Sequence, residues 1–331
     1  MRQTMKPATT PVLATLAFLV SLAPALAEGP PAFTQDPGHD HPLAGRIWST
    51  REGAFVAPRV VDEAVADARF VLLGETHDNP DHHRLQAYLL DQASSSRKPA
   101  VVFEMLPRDL APKVADYLAG GGTAEGFGAA VGWADLGWPD YGIYRPVLEV
   151  AIGKGLAIVA ADTPKPERRA VAGEGIAALG AERAGRLALD RPLGEAAEAE
   201  MLDTLFESHC ALMPRESLRP LLLVQRLRDA TLAEAMIAAD ERGDAGAVLI
   251  AGAGHTRRDL GVPWYLSARL AEASSVSLAF VEVREGEDDP AAYAGGSRET
   301  AAPYDFVWFT PGVARGDPCE GLKERFGKKG K

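Results

Sequence analysis

The chain has 331 residues, 47% of them hydrophobic and 24% charged, with a formal net charge of -11. That balance suits a globular chain able to bury a core, and its acidity argues against nucleic acid or an anionic membrane surface as partner, because phosphate binding wants clustered Lys and Arg. Only Cys210 and Cys319 are present, which excludes a disulfide framework and a cysteine zinc site and leaves one bridge that an oxidising compartment would permit.

In chain order, residues 1–27 read as a secretory signal. Arg2 and Lys6 supply a basic start, residues 12–22 an apolar stretch too short to span a bilayer, and Ala25-Leu26-Ala27 a small-x-small cleavage pattern. No cysteine follows the expected cut, so the mature chain is predicted to be periplasmic or secreted and not a lipoprotein. Residues 28–42, rich in Pro, Gly and Asp, predict an irregular arm in which His39 and His41 are expected to be solvated.

"RFVLLGE" (69–75) reads as a buried strand, and Asn79-Pro80 supplies the cap and first turn of a helix reaching about Gln92. "AVVFEM" (100–105) is the next strand, with "PRDLAPKVADYLAG" helical after it. Residues 120–146 form an insertion that concentrates Trp133, Trp138, Tyr141 and Tyr144. "LAIVAADT" (156–163) and "AVLIAGAGH" (247–255) are further apolar runs that end abruptly in polar residues. Between them an alanine-rich stretch with helical periodicity exceeds one crossover. "SVSLAFVEVRE" (275–285) and "YDFVWFTP" (304–311) close the set, the last expected at an edge because Pro311 ends it.

Strands without alternation are buried on both faces, and helices between them imply parallel crossovers. The fold class is therefore α/β: a mainly parallel central sheet flanked by helices, with a helical insertion at about 165–243 capping the C-terminal edge of the strands. Residues 43–315 are expected to form a single domain, followed by a polar tail at 316–331.

Four of these runs finish in ionisable residues: Glu75 with His77 two residues on, Glu104, Asp162 and His255. Ligands of open parallel sheets bind outside the carboxyl ends of the strands, so these groups are predicted to converge on one crevice. Singly, each is more often a loop contact or a helix cap. Together, Glu75, His77, Glu104 and His255 make a reasonable ligand set for a divalent metal ion, or an acid/base pair. Gly252 and Gly254 let the backbone approach a ligand beside His255. His82 and His83 point in different directions from one helical turn, so at most one joins Glu75 and His77, and His83 is preferred. His209 reads as surface or core. The aromatic insertion reads as core filling or as a wall for a flat ligand.

The segments "HPLAGRIW" (41–48), "ARFVLLGETHDNPDHHRLQA" (68–87), "PAVVFEM" (99–105), "WPDYGIYRPVLEVA" (138–151) and "IAGAGHTRRDLGVPWYL" (250–266) closely resemble the ChaN-like family of bacterial exported haem-binding proteins, within the larger Tiki and erythromycin-esterase-like superfamily. The resemblance implies haem binding linked to iron acquisition, with haem-uptake receptor or transporter components as partners and room for a homodimer. It further implies a pocket drawing on Trp138, His83, Asp162 and Gly254, with Tyr144 or Tyr141 as axial ligand, tyrosine phenolate being one recognised ligand of ferric haem. The element from Gly74 to His77 also looks like the motif of the superfamily's metal-dependent proteases and esterases. A hydrolase with Glu75, His77, Glu104 and His255 as catalytic groups is the alternative. A Ser or Cys nucleophile is poorly supported, since no G-x-S-x-G element is present.

Overall fold

The computed structural model describes residues 29–243, 245–270, 274–293, 302–317 and 319–320. The export signal read at 1–27, and most of the tail read at 316–331, lie outside them. The strands are β1 (Ile47–Ser49), β2 (Ala54–Val56), β3 (Phe70–Glu75), β4 (Ala100–Pro107), β5 (Ile158–Asp162), β6 (Ala247–Gly252), β7 (Ser275–Glu282) and β8 (Phe306–Thr310). The helices are α1 (Pro58–Asp67), α2 (Pro80–Ala93), α3 (Ala111–Ala119), α4 (Ala124–Val131), α5 (Tyr141–Gly153), α6 (Lys165–Glu174), α7 (Ala181–Arg186), α8 (Glu195–Ser208), α9 (Arg219–Gly243) and α10 (Val262–Arg269).

One sheet runs in the order β2-β1-β8-β7-β3-β6-β4-β5. The strands from β3 to β8 are mutually parallel, and β1 and β2 add an antiparallel hairpin beside β8. Alternate side chains of each strand point to opposite faces. Val71, Leu73, Val101, Phe103, Val248 and Ile250 therefore pack with α1, α2 and α5. Phe70, Leu72, Val102, Leu249 and Ala251 pack with α9 and α10 on the other face. Burial on both faces is why these strands carry no polar alternation.

The chain reaches β4 and β5 before returning to place β6 between β3 and β4, and β7 then adds on the far side of β3. This change of direction opens a crevice over the carboxyl ends of β3, β6 and β4. Across it lies α9, running against the strands. Its Asp240, at the strands' amino ends, accepts Gly246 N–H at 2.9 Å and Arg69 Nε–H at 2.9 Å, while its earlier turns reach over the carboxyl ends.

Two expectations change. β8 is an inner strand, flanked by β7 and β1, because Pro311 lies one residue past its end and removes no ladder hydrogen bond. The short β1–β2 hairpin that covers it carries too little pattern in three residues per strand to be read from sequence. Nor is the arm free. Asp81 accepts the backbone N–H groups of Thr34 and Gln35 at 2.8 and 3.0 Å, and His41, its side chain 9% exposed, lies 3.4 Å from Asp288.

Candidate functional site

The loop after β3 is built from its own histidines. Asn79 caps α2 by accepting Asp81 N–H at 3.0 Å, and Pro80 starts the helix. His82 Nδ1 accepts Thr76 N–H at 2.8 Å, and its Nε2–H donates to Thr310 Oγ1 at 2.8 Å. Complete burial holds its pKa well below the ordinary histidine value, so the ring is neutral and that tautomer is set. His83 is likewise buried, its Nε2 lying 3.1 Å from the carbonyl oxygen of His77. Both histidines thus stand behind the loop and hold it. His77 itself faces outward.

Its Nδ1–H donates to Glu75 Oε1 at 2.7 Å, and its side chain is 35% exposed against none for Glu75. The ring packs against Trp138, centroids 4.7 Å apart, and Trp138 Nε1–H is anchored on the Met105 carbonyl at 3.0 Å. Glu75 is paired across the sheet with Gly252, where an added Cβ would stand 2.9 Å from His77 Nε2. Glycine is needed at 252 for space.

Glu104 occupies the stretch of β4 where the register with β5 shifts between Phe103 and Pro107, an irregularity of the kind that re-aims side chains. Its Oε2 accepts Gly252 N–H at 2.7 Å, and its Oε1 accepts from Arg228 Nη2 at 2.7 Å and faces His255 Nε2 at 3.2 Å. Burial works to raise its pKa, but His255, Arg228 and His77 outweigh it and hold the carboxyl well below the usual range. His255 Nδ1–H donates to Asp229 Oδ1 at 2.5 Å. Burial alone would strip its proton, yet Glu104 and Asp229 hold its pKa up to about 10. The ring is an imidazolium at neutral pH, with both N–H groups turned to carboxylates. Arg228 Nε also donates to Asp162 Oδ1 at 2.8 Å, and Asp162 Oδ2 accepts from Arg168 at 3.2 Å.

The structure thus brings Glu75, His77, Glu104, His255 and Gly254 to the wall of one cleft of about 550 Å³, with Trp138, Gln225 and Arg228. Asp162 lies behind Arg228. Tyr144 is fully buried, its O–H donating to the His77 carbonyl at 3.1 Å; burial first, then Glu75 and Glu104, raise its pKa. Tyr141 lines a neighbouring aromatic pocket of about 610 Å³ with Trp133 and Trp138, and its O–H donates to the Ala124 carbonyl. Trp138 is the wall common to both cavities. His209 caps the end of α8, its Nδ1 2.7 Å from the Leu205 carbonyl.

No group of three or more His, Cys, Asp or Glu side chains among the described residues is arranged to hold a metal ion. Arg228 explains the geometry. Its guanidinium lies 2.7 Å from Glu104 and 3.1 Å from His255 Nε2, so it fills the space between them. Sequence reasoning missed Gln225, Arg228 and Asp229. Their spacing of i, i+3 and i+4 in α9 was the available signal, since it puts three polar groups on one face of the helix.

The model of a family described as haem-binding uptake, Tiki superfamily, ChaN matches residues 61–266. A solved structure of ChaN from Campylobacter jejuni with cofacial haem bound is similar at a TM-score of 0.60 and 18% identity, over 79% of this chain and 95% of that one. An erythromycin esterase in its open conformation gives a TM-score of 0.36 at 13% identity, over 68% and 72% of the two chains. No curated protein matches the sequence.

Proposed function

The chain belongs to the haem-binding uptake family of the Tiki superfamily, the ChaN family, and from that premise we propose that it is an exported haem-binding protein serving haem or iron acquisition. The observation that carries this reading is the cleft mouth, where half-exposed His77 stands between buried Glu75 and the Trp138 ring. Haem is a flat apolar ligand with an iron that seeks one or two donor atoms, and such ligands take apolar walls with a few placed polar groups. The strand-end cleft supplies one such wall, Trp138, which it shares with the aromatic pocket of Trp133 and Tyr141, and sets polar and charged groups beside it. Glu75 Oε1 accepts from the imidazole while its Oε2 is buried without a hydrogen-bond partner, and glycine at 252 leaves space beside His77 Nε2.

Export is supported by the secretory signal expected at 1–27 and by the Cys210–Cys319 disulfide, a bond that persists in oxidising compartments. No helix among the described residues is long and apolar enough to cross a membrane. Receptor or transporter components of the uptake route, and a second copy of the chain, are the partners proposed for such a role. The metal-dependent hydrolase is the weaker reading, because the Arg228 guanidinium occupies the space between Glu104 and His255 in which a divalent ion would sit.

An absorption titration with hemin tests the proposal. A Soret band that sharpens, shifts and saturates is expected; a spectrum indistinguishable from free hemin counts decisively against haem binding.

A further inference from the structure

We propose that the strand-end cleft is a carboxylate-binding site, in which Arg228 Nη1 and the Gln225 amide hold the acid group of a ligand. The inference does not depend on the haem reading. It concerns the charged wall of the cleft, and the carboxylate belongs either to a small free acid or to a propionate arm of haem.

Arg228 uses its donors unevenly. A guanidinium carries five N–H groups in one plane. Here Nε donates to Asp162 Oδ1 at 2.8 Å and Nη2 to Glu104 Oε1 at 2.7 Å. Nη1 faces His255 Nε2 at 3.1 Å, and that nitrogen is itself a donor: the ring gives its Nδ1–H to Asp229 Oδ1 at 2.5 Å and turns Nε2 to Glu104 Oε1 at 3.2 Å. Donor therefore meets donor, and Nη1 is left with no acceptor. The Arg228 side chain is 14% exposed and lines the cleft.

Gln225, three residues earlier on α9, is in the same position. Its amide nitrogen lies 3.1 Å from Nδ1 and 3.4 Å from Nε2 of His255. Against a ring that donates from both nitrogens the amide is used the other way round, its oxygen towards the imidazolium and its N–H groups towards the cleft. Arg228 and Gln225 thus bring unfilled donors to one wall, i and i+3 on one helix face.

A carboxylate suits this pair. It accepts side by side from a planar guanidinium and a neighbouring amide, and a charge-assisted hydrogen bond is roughly twice as strong as a neutral one. The acidic oxygens nearby are already occupied or buried. Both oxygens of Glu104 and of Asp162 hold N–H donors, Glu75 Oε1 holds His77, and the partnerless Glu75 Oε2 and Asp229 Oδ2 are buried. So many acids close by favour a singly charged group over sulfate or phosphate. A cleft of about 550 Å³ has room for an acid of a few carbons or for one arm of a larger ligand.

The test is a titration of the purified protein with acetate and butyrate at constant ionic strength, followed by calorimetry and by NMR of the side-chain amide and guanidinium N–H groups. Saturable binding with a dissociation constant on the order of millimolar is expected, with acetamide and sulfate at least tenfold weaker. Gln225→Ala should weaken acetate at least threefold with the thermal midpoint unchanged, and Arg228→Lys, which keeps the charge and loses the fork, at least tenfold. Hemin and hemin dimethyl ester distinguish the two sources. For a propionate, acetate competes with hemin and the ester binds at least tenfold more weakly, a difference that shrinks in Gln225→Ala. For a free acid, hemin and its ester bind alike and acetate displaces neither. The inference is overturned if neither acid binds while hemin and its ester bind alike, or if acid binding is the same in wild type, Gln225→Ala and Arg228→Lys. Acid binding without a Soret response removes the haem reading and keeps this one; a Soret response without acid recognition does the reverse.

Discussion

Two glycines show how tightly individual residues are constrained around His77. A Cβ at Gly252 would press on His77 Nε2 at 2.9 Å, and one at Gly74 would meet Thr256 Oγ1 and, at 2.8 Å, the Ala253 Cα. The two clashes differ in kind. At 252 the obstacle is the tip of the His77 ring, which can shift only by loosening its contacts with Glu75 and Trp138, so Gly252→Ala should fold with modest loss but weaken hemin binding about tenfold, read by titration. At 74 one obstacle is backbone, so Gly74→Ala should cost roughly 1–3 kcal/mol of stability, measured by urea unfolding. Equal effects of the two alanines on binding and on stability would contradict this division. The buried ions behave differently again: Arg228→Met strips a partner from both Glu104 and Asp162 and should cost about 3–5 kcal/mol, the usual consequence of leaving a buried charge uncompensated.

Among the elements, the strand ends were the most legible part of the sequence, and α9 the least. Continuous apolar runs ending in Glu75, Glu104, Asp162 and His255 are visible because a parallel strand buried on both faces turns polar only where it leaves the sheet. Asn79-Pro80 announced α2 for an equally local reason. The inward-facing Arg228 and Asp229 were hidden because an arginine on a long helix is ordinarily solvent-facing, and only tertiary contact reveals that this one lies between two carboxylates. The roles of His82 and His83 were equally illegible. Spacing separates their directions, while the partners that turn them into supports for the loop, Thr310 and the His77 carbonyl, are respectively far along the chain and in the backbone. The disulfide belongs to this scale too. It ties the turn after α8 to the segment beyond β8 across a separation of 109 residues, a loop long enough for the bond to contribute about 2–4 kcal/mol. Cys210→Ser with Cys319→Ser should lower the thermal midpoint accordingly while leaving the hemin spectrum unchanged.

For the molecule as a whole, the buried charge network predicts a particular pH response. His255 is held up to about 10 and His77 above its ordinary value, in each case by carboxylates that outweigh burial. A histidine whose folded pKa is raised stabilises fully below the unfolded value of about 6.5, and that contribution is lost as pH rises through the folded value. The thermal midpoint should therefore fall progressively from pH 7 to pH 10. His82, depressed by burial, acts with the opposite sign but only below about pH 6.5, so it does not oppose the alkaline loss. A midpoint that is flat or rising over that range would contradict a charged His255.

Amide hydrogen exchange on the protein with and without hemin asks most directly where the ligand lies. Slowed exchange at residues 76–78 and 252–256, on the two loops that flank the His77 ring, is the predicted result. Protection confined to the groove between α2 and α5, which Tyr88, Gln92, Pro146 and Val150 line, with those two loops unaffected, would contradict the assignment of haem to the strand-end cleft.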